Sequence, residues 1–352
     1  MANILVTGGA GYIGIELCRQ LIEKGHSVTI VDLCFFGEKA LEVLDGRYKL
    51  IKEDIREPRK EWFEGIDYVC HLAGFSNDPM AAFNPNANME INHIGTVRVA
   101  ELAKERGVKK FVFASSASVY DKGLVENHDV MYFEDSEVDP LPTYYYSIAK
   151  VRAENDLKSM ASKDFSVYVL RQGTIFGWSE KMRYDLVVNT MIKTAICEGK
   201  MNVFHGGVMW RPLVDVSDCA RAYIACMEIH HPNEVDYFNI FNIVQENYRI
   251  LDLAHYIKHE LKQEGMDVEV NVLYSNEPQR SYRMSGARIE KALSFKPLID
   301  VRTSVRKIIL EMKNKNMNNQ KTLHNPMYYN IEWMKHLEEI KKILKHADRI
   351  LD

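Results

Sequence analysis

The stretch "VTGGAGYIG" constrains the fold more than any other part of the sequence. It places Gly8, Gly11 and Gly14 at GxxGxxG spacing between a predicted strand (3–7) and a predicted helix (13–25) that ends at a glycine. Glycines at such a junction allow a tight turn and bring backbone N–H groups close to a pyrophosphate at the positive end of the helix. The spacing therefore predicts a dinucleotide-binding βα unit.

Apolar runs alternate with helical patterns along the first half of the chain. Such alternation gives right-handed βαβ units and a parallel sheet with helices on both faces. Further strands are predicted over 27–32, 48–54, 67–73, 109–116 and 166–172, and further helices over 88–106 and 143–162, the second with Thr143 as N-cap.

These elements predict an α/β protein with a Rossmann-type, doubly wound parallel sheet and a smaller C-terminal α/β substrate-binding lobe. The expected domains are a dinucleotide-binding domain over 1–175, rejoined by a segment around 210–245, a substrate-binding lobe over 176–315, and a helical extension over 316–352.

Composition excludes several classes of protein. The 352 residues are 46% hydrophobic and 27% charged, with a net charge of −4 and no long basic run, so no nucleic-acid or membrane partner is expected. The six cysteines show no CxxC or paired spacing, which indicates reduced thiols in a cytoplasmic protein. Neither His71 nor His93 stands at metal-ligand spacing from another His, Cys or acid, and no metal site is expected.

Asp32 ends the second predicted strand, at the distance from the glycine turn expected of a ribose-binding carboxylate. A carboxylate accepts hydrogen bonds from a free 2′-OH but repels a 2′-phosphate, and the following "LCFFGE" offers no Arg or Lys. The sequence therefore favours NAD over NADP. Asp54 follows the third strand, and two interpretations stay open: a contact with the adenine amino group, or a solvated strand-end carboxylate.

In "PTYYYSIAK" only one of three tyrosines precedes a cation by four residues, so Tyr146 and Lys150 share a helix face. The ammonium, together with an oxidised nicotinamide, is expected to lower the phenol pKa from its ordinary value near 10. Tyr146 would then take a proton from a sugar hydroxyl while hydride leaves the same carbon. Ser115, Ser116 and Ser118, after the preceding strand, offer a hydroxyl that orients the substrate oxygen.

Together these motifs resemble the extended short-chain dehydrogenase/reductase family, in its NAD-dependent nucleotide-sugar epimerase/dehydratase branch. The resemblance runs from residue 1 to about 310 and includes "TGGAGYIG", "HLAG", "SSASVY", "YYYSIAK", "LRQGTIFG" and "WRPLVDVSDCARAY". It implies that the catalytic residues are Tyr146, Lys150 and Ser116.

The resemblance also implies two sets of binding residues. Those that line NAD would be Gly8, Gly11, Tyr12, Ile13, Gly14, Asp32, Asp54, Ile55, Leu72, Ala73, Asn92, Ser115, Tyr146 and Lys150. Those that contact a nucleotide-diphosphate sugar would be Ser116, Ser118, Asn77, Thr174, Arg183, Asn189, Arg211 and Arg280. Arg183 and Arg280 are explained equally well as surface ion pairs.

Two departures from the family pattern bear on the reaction. Thr174 stands where many relatives carry an asparagine that touches the substrate phosphate. Ala117 and Ser118 replace the Asp–Glu pair of sugar 4,6-dehydratases, so the acid that protonates the departing C6 hydroxyl is missing. This favours simple redox chemistry at C4.

The sequence thus predicts a nucleotide-sugar epimerase that oxidises C4 transiently with tightly bound NAD. The alternatives are a dehydratase, decarboxylase or C4 oxidoreductase on the same fold, and a non-catalytic sensor of NAD or a nucleotide. The resemblance further implies a homodimer in which helices 88–106 and 143–162 form a four-helix bundle. The sequence alone names neither the nucleotide nor the sugar.

Overall fold

The computed structural model describes residues 1–120, 130–229, 236–275 and 280–351. The strands in these residues are β1 (Asn3–Thr7), β2 (Ser27–Val31), β3 (Lys49–Ile51), β4 (Tyr68–His71), β5 (Lys110–Ser116), β6 (Met131–Tyr132), β7 (Ser166–Gln172), β8 (Thr174–Phe176), β9 (Lys200–Val203), β10 (Trp210–Asp215), β11 (Phe238–Ile243), β12 (Glu246–Arg249), β13 (Glu269–Val272) and β14 (Arg283–Met284).

The α-helices in the same residues are α1 (Tyr12–Glu23), α2 (Asp78–Phe83), α3 (Pro85–Met89), α4 (Thr96–Glu105), α5 (Tyr145–Met160), α6 (Val187–Glu198), α7 (Val216–Glu228), α8 (Ile250–Gln263), α9 (Ala287–Leu293), α10 (Val301–Asn314), α11 (Gln320–Leu323) and α12 (Asn330–Leu351). None of these helices is both long enough and apolar enough to cross a bilayer.

Across the described residues, the main sheet has seven parallel strands in the order β11-β7-β5-β4-β1-β2-β3. The chain starts at β1, moves outward to β3, and then returns to β4 on the other side of β1. The strand order therefore reverses between β1 and β4. In open α/β sheets, ligands bind at the carboxyl ends of the strands beside such a reversal. This is the predicted Rossmann-type, doubly wound fold.

Two apolar layers hold the helices on opposite faces of the sheet. Successive side chains of a strand point to opposite faces, so Val6 packs in the layer that includes α1 and α7, whereas Leu5 packs in the layer that includes α4 and α5. Both layers are buried, as expected of a parallel sheet covered by helices. The remaining strands form small sheets, β12-β10-β8 and β13-β9 among them. The predicted domain boundaries stay a prediction.

Two predicted helices begin at different residues from those expected. The helix predicted over 88–106 starts at Pro85 and contains a π-helical stretch, Glu90–Gly95. The prediction of Thr143 as an N-cap is wrong. The N–H of Tyr144 bonds to the carbonyl of Leu141 at 2.9 Å, so the chain is still in a turn at Thr143, and Tyr144 is the N-cap.

A buried ion pair ties α5 to β7. Arg171 Nη2 lies 2.6 Å from Glu154 Oε2, and both side chains are almost fully buried. Replacing Arg171 with methionine leaves the carboxylate without its partner, and we expect the free energy of unfolding to fall by about 3–5 kcal/mol. Urea unfolding measures this loss, and the double variant Glu154→Leu/Arg171→Met should recover most of it. A single variant within about 0.5 kcal/mol of wild type, the range of an ordinary surface change, would contradict the expectation.

Candidate active site

The glycine turn joins β1 to α1 beside the point where the strand order reverses. Gly8 has a φ of 74°, and a Cβ there would lie 2.6 Å from the backbone N of Ala73, so only glycine fits. Gly11 is the N-cap residue of α1, and no side chain caps this helix. The first-turn N–H groups are therefore available to an anion, and the helix dipole favours one. This geometry fits a dinucleotide pyrophosphate.

A cavity opens from the turn along the carboxyl ends of the strands. It brings most of the predicted site residues together. Those that line it are Gly8, Gly11, Tyr12, Ile13, Gly14, Asp32, Asp54, Ile55, Leu72, Ala73, Asn77, Ser115, Ser116, Ser118, Tyr146, Lys150, Thr174, Arg183 and Arg280. The other three predicted residues, Asn92, Asn189 and Arg211, lie behind or beside the cavity wall.

Asp32 is held at the end of β2 by two backbone donors. Its Oδ2 accepts a hydrogen bond from Ala10 N at 3.0 Å, and its Oδ1 accepts one from Cys34 N at 2.8 Å. Burial raises the pKa of Asp32. Each carboxylate oxygen keeps a further lone pair, so the group can still accept hydrogen bonds from two ribose hydroxyls. A fixed carboxylate acceptor suits NAD, because it would repel a 2′-phosphate.

Asp54 lines the cavity after β3, and its own neighbour holds it in place. Arg56 Nη2 lies 2.5 Å from Asp54 Oδ2, and the Arg56 backbone N donates to Oδ1 at 2.9 Å. These hydrogen bonds lower the pKa of Asp54. The carboxylate is therefore ionised and oriented rather than freely solvated. Its contact with an adenine stays a prediction.

The three predicted catalytic residues meet on one wall of the cavity. Tyr146 is buried, and its phenol lies beside the Ser116 hydroxyl on the cavity wall. Ser116 Oγ in turn accepts from Ser118 N at 3.2 Å and from Ser118 Oγ at 3.0 Å. Because Ser118 satisfies its acceptor side, the Ser116 hydroxyl is free to donate to the tyrosine oxygen. Lys150 Nζ lies 5.7 Å from the centre of the Tyr146 ring and donates to Ala114 O at 2.7 Å.

The expected acidity of Tyr146 is not found in the protein by itself. Burial raises the pKa of Tyr146, and the negative charge of Asp78 raises it further, whereas the neighbouring Ser116 hydroxyl lowers it. Burial also lowers the pKa of Lys150 to about 7, so this side chain is only partly charged at neutral pH. Helix spacing leaves out this desolvation. The lowering of the phenol pKa in the presence of oxidised NAD stays a prediction.

The buried lysine gives the stability a predictable pH dependence. The pKa of Lys150 falls from 10.5 to about 7 on folding, so between these pH values the unfolded chain binds more protons, and the free energy of unfolding rises with pH. A Lys150→Met variant lacks this contribution. We therefore expect calorimetry of the NAD-free proteins to show that the Tm of wild type falls relative to the Tm of the variant as the pH is lowered from 10 to 7. A difference that does not change with pH would contradict the assignment.

Asn92 supports the cavity from behind. It lies in the π-helical stretch, fully buried, where its Oδ1 accepts from Phe75 N at 2.8 Å and its Nδ2 donates to Phe75 O at 3.0 Å. A Cβ on Gly74 would lie 2.3 Å from the Asn92 Oδ1. The asparagine therefore fixes the loop after β4, and its effect on a cofactor passes through that loop.

Two predicted arginines line the cavity as members of ion pairs. Arg183 is buried and binds both carboxylate oxygens of Asp185, at 2.9 and 2.8 Å. Arg280 Nη1 lies 2.7 Å from Asp78 Oδ2, and its guanidinium lies 3.9 Å from the centre of the Tyr144 ring. The ion-pair interpretation thus applies to both residues in this structure, and their contact with a phosphate stays a prediction.

Two other predicted substrate residues do not line the cavity, although each bonds to a residue that does. Asn189 is fully buried; its Nδ2 donates to Tyr12 OH at 3.0 Å and its Oδ1 accepts from Gly177 N at 3.1 Å. Arg211 donates to Trp210 O at 2.8 Å and to Arg280 O. The geometry gives both residues a supporting position, and their contact with a substrate stays a prediction.

Sequence reasoning missed a lysine and part of the C-terminal segment. Lys181 lines the cavity, donates to Met327 O at 3.1 Å, and has its pKa lowered by burial to about 7. Asn330 and Met334, from the start of α12, also line the cavity. A lysine in a loop carries no sequence signal of burial. The C-terminal residues reach the site only through tertiary folding.

The fold and the site define an NAD-dependent enzyme that acts on nucleotide sugars. Residues 4–243 match the NAD dependent epimerase/dehydratase family, and the chain belongs to this family. Its relatives include epimerases, decarboxylases and dehydratases of the extended short-chain dehydrogenase/reductase type, and its cofactor is NAD.

The relatives include two kinds of enzyme. UDP-glucuronic acid decarboxylase 1 of Xenopus tropicalis is 29% identical over 313 residues, which are 87% of this chain and 71% of the relative. The structure of UDP-glucose 4-epimerase from Thermotoga maritima with UDP-glucose is 26% identical, covers 90% of this chain and 99% of its own, and has a TM-score of 0.74. UDP-N-acetylglucosamine 4-epimerase from Methanobrevibacter ruminantium M1, in complex with UDP-N-acetylmuramic acid, is also 26% identical, with coverages of 88% and 99% and a TM-score of 0.75.

Proposed function

We propose that this protein is an NAD-dependent UDP-sugar 4-epimerase. The observation that carries the proposal is that Tyr146 and Ser116 lie side by side on the cavity wall, and that Ala117 and Ser118 follow Ser116 where dehydratases have two acids. The pair supplies a proton acceptor and an orienting hydroxyl for the oxidation of a secondary alcohol. A carboxylic acid for expelling a hydroxyl is missing from the two positions after Ser116.

The protein's own groups account for the proton at the sugar hydroxyl. When bound, NAD supplies the hydride acceptor and, in its oxidised form, a positive charge near the phenol. That charge, a protonated Lys150 and a hydrogen bond donated by the neighbouring Ser116 hydroxyl would all favour the phenolate and oppose the effect of burial. Tyr146 then accepts the hydroxyl proton as the C4 carbon becomes a ketone, and returns it after the 4-keto sugar has turned over.

Ser116 would hold the sugar oxygen during both half-reactions. Its acceptor side is occupied by the backbone N and the Oγ of Ser118. Its hydrogen is therefore directed away from Ser118, toward Tyr146 and the cavity. A donor at this position stabilises the negative charge that develops on the substrate oxygen.

One feature favours epimerisation over dehydration, which shares its first step. The positions after Ser116 lack the acid pair that dehydration of C6 uses. Decarboxylation needs a carboxylate on the sugar, so the loss of carbon dioxide distinguishes it from epimerisation. A non-catalytic sensor would not need Tyr146, Lys150 and Ser116 together.

The choice of UDP follows from the relatives, which include UDP-sugar enzymes of both kinds. A thermal-shift panel of UDP-, GDP-, dTDP- and CDP-hexoses on NAD-loaded protein tests it, and we expect the largest increase in Tm with a UDP-hexose. Mass spectrometry of the product then tests the reaction. An unchanged mass supports epimerisation, whereas the loss of water, of carbon dioxide or of two hydrogens would overturn it.

The homodimer through the helices within 85–105 and 145–160 stays a prediction.

A further inference from the structure

The C-terminal segment 319–334, called the clasp below, reaches the cofactor cavity from outside the family-matched region, residues 4–243. It comprises α11, the 3₁₀ turn Pro326–Tyr328 and the first residues of α12. Two of its residues, Asn330 and Met334, line the cavity. The clasp is therefore part of the cavity wall and not only a helix packed on the surface.

One set of contacts joins the clasp to the loop after β2. Trp333 Nε1 donates to Phe35 O at 2.6 Å. Met327 O accepts a hydrogen bond from Lys181 Nζ at 3.1 Å, and the same Nζ lies 4.0 Å from the centre of the Phe36 ring. This loop follows directly after Asp32, the carboxylate placed for the ribose. The clasp thus fixes the loop that borders the adenosine half of the dinucleotide site.

A second contact joins the clasp to the loop after β4. Asn330 Nδ2 donates to Ser76 Oγ at 2.9 Å, and Arg183 Nη1 donates to the same oxygen at 3.0 Å. Asn330 is 5% exposed, and its Oδ1 has no hydrogen-bond partner in the described part of the chain. An orphan acceptor of this kind is costly unless a ligand or water satisfies it.

The two loops lie on opposite sides of the glycine turn. In the sheet β1 has β2 on one side and β4 on the other, and neighbouring strands are about 4.8 Å apart. A segment bonded to the loops after β2 and β4 therefore spans the carboxyl end of β1. The pyrophosphate-binding turn begins at that end, so the clasp and the turn lie on the same cavity.

The clasp has its own anchor outside the cavity. Lys193, fully buried on α6, donates to Leu323 O at 2.5 Å and to Tyr329 OH. Its Nζ lies 4.7 Å from the centre of the Tyr184 ring and 4.6 Å from that of Tyr329. The backbone N of Tyr184 also donates to Tyr328 O at 2.8 Å. These contacts tie the clasp to the body before it reaches the cavity.

We propose that the clasp completes the dinucleotide site and retains NAD between turnovers, with Trp333 and Asn330 as its positioning residues. The inference depends on NAD being the cofactor and goes beyond the proposed epimerisation. Release of NAD requires the two loops to separate, and the clasp joins them. A reaction that regenerates its own NAD gains from such retention, because no exchange with free cofactor is needed in the cycle.

The test measures how fast bound NAD leaves. Purified protein is loaded with NAD, mixed with excess etheno-NAD, and followed by the fluorescence of the exchanged nucleotide. In Trp333→Phe and Asn330→Ala we expect dissociation about five- to tenfold faster than in wild type, the effect of one lost hydrogen bond each. The double variant should also purify with less NAD. Lys193→Met removes the anchor outside the cavity, and we expect it to speed the dissociation of NAD as well.

Lys335→Gln is the matched control. Lys335 lies on the same helix but is exposed, and its one ion pair in the described part of the chain is with Glu332, at 3.0 Å, within that helix. The Lys335→Gln variant should exchange NAD at the wild-type rate. The Tm of the NAD-free proteins separates retention from folding: exchange that is faster while the NAD-free Tm stays within 2 °C or so supports the clasp. Unchanged exchange in Trp333→Phe and Asn330→Ala would overturn it, whatever the Tm. Product mass is measured separately, so a failure of epimerisation does not decide this outcome.

Discussion

Replacing Tyr146 with phenylalanine is expected to lower kcat by about 10²- to 10⁴-fold, the range that one acid–base group contributes. The change removes only the hydroxyl beside Ser116, and the ring stays in its buried position. NAD binding should be kept, because the turn and Asp32 are untouched. Steady-state turnover and the NAD content of the purified variant are the two measurements.

Tyr145→Phe is the matched control for this result. The neighbouring tyrosine begins α5 and is 38% exposed, and its ring does not line the cavity. Its loss of a hydroxyl should leave kcat near the wild-type value. Equal effects of the two changes, or near-full activity in Tyr146→Phe, would remove Tyr146 from the chemistry.

Gly14→Ala is expected to abolish useful NAD binding. A Cβ at Gly14 would lie 2.1 Å from Gly8 O and 2.7 Å from the Gly9 Cα, and both neighbours are backbone atoms. The turn must open to admit the methyl group. The N–H groups at the start of α1 then no longer point at the pyrophosphate. Loss of two charge-assisted hydrogen bonds to a pyrophosphate corresponds to a decrease in affinity on the order of 100-fold or more.

Gly11→Ala tests whether this effect is specific to the crowded position. Its Cβ would meet Gly8 O at 3.1 Å, a tight contact that a small shift relieves. We expect a much smaller change in the Kd for NAD, measured by calorimetry. Circular dichroism would show whether Gly14→Ala still folds. A folded Gly14→Ala protein with wild-type affinity would mean that the turn does not hold the cofactor.

The parts of the fold that sequence predicted well are those with local causes. The strand, glycine turn and helix around Gly8 and Gly11 follow from apolar periodicity and from backbone freedom, which neighbouring residues decide. The same holds for the helix that carries Tyr146 and Lys150, whose shared face is a matter of spacing. Its start was misplaced because the turn from Leu141 to Tyr144 continues past Thr143.

The properties of the site that sequence could not predict depend on distant parts of the chain. Spacing could not show that burial would raise the pKa of Tyr146 and lower that of Lys150, because desolvation is set by everything packed around them. Periodicity in the C-terminal tail predicted a helix but not that Asn330 would meet Ser76, 254 residues earlier in the chain.

A UDP-hexose that carries deuterium at C4 offers the sharpest test of transient oxidation at that carbon. Because hydride leaves C4 and returns to the same carbon, the product should be the C4 epimer, of unchanged mass, with deuterium still at C4. NADH should not accumulate in solution. A product that is lighter by water or carbon dioxide, or deuterium found in released NADH, would contradict epimerisation.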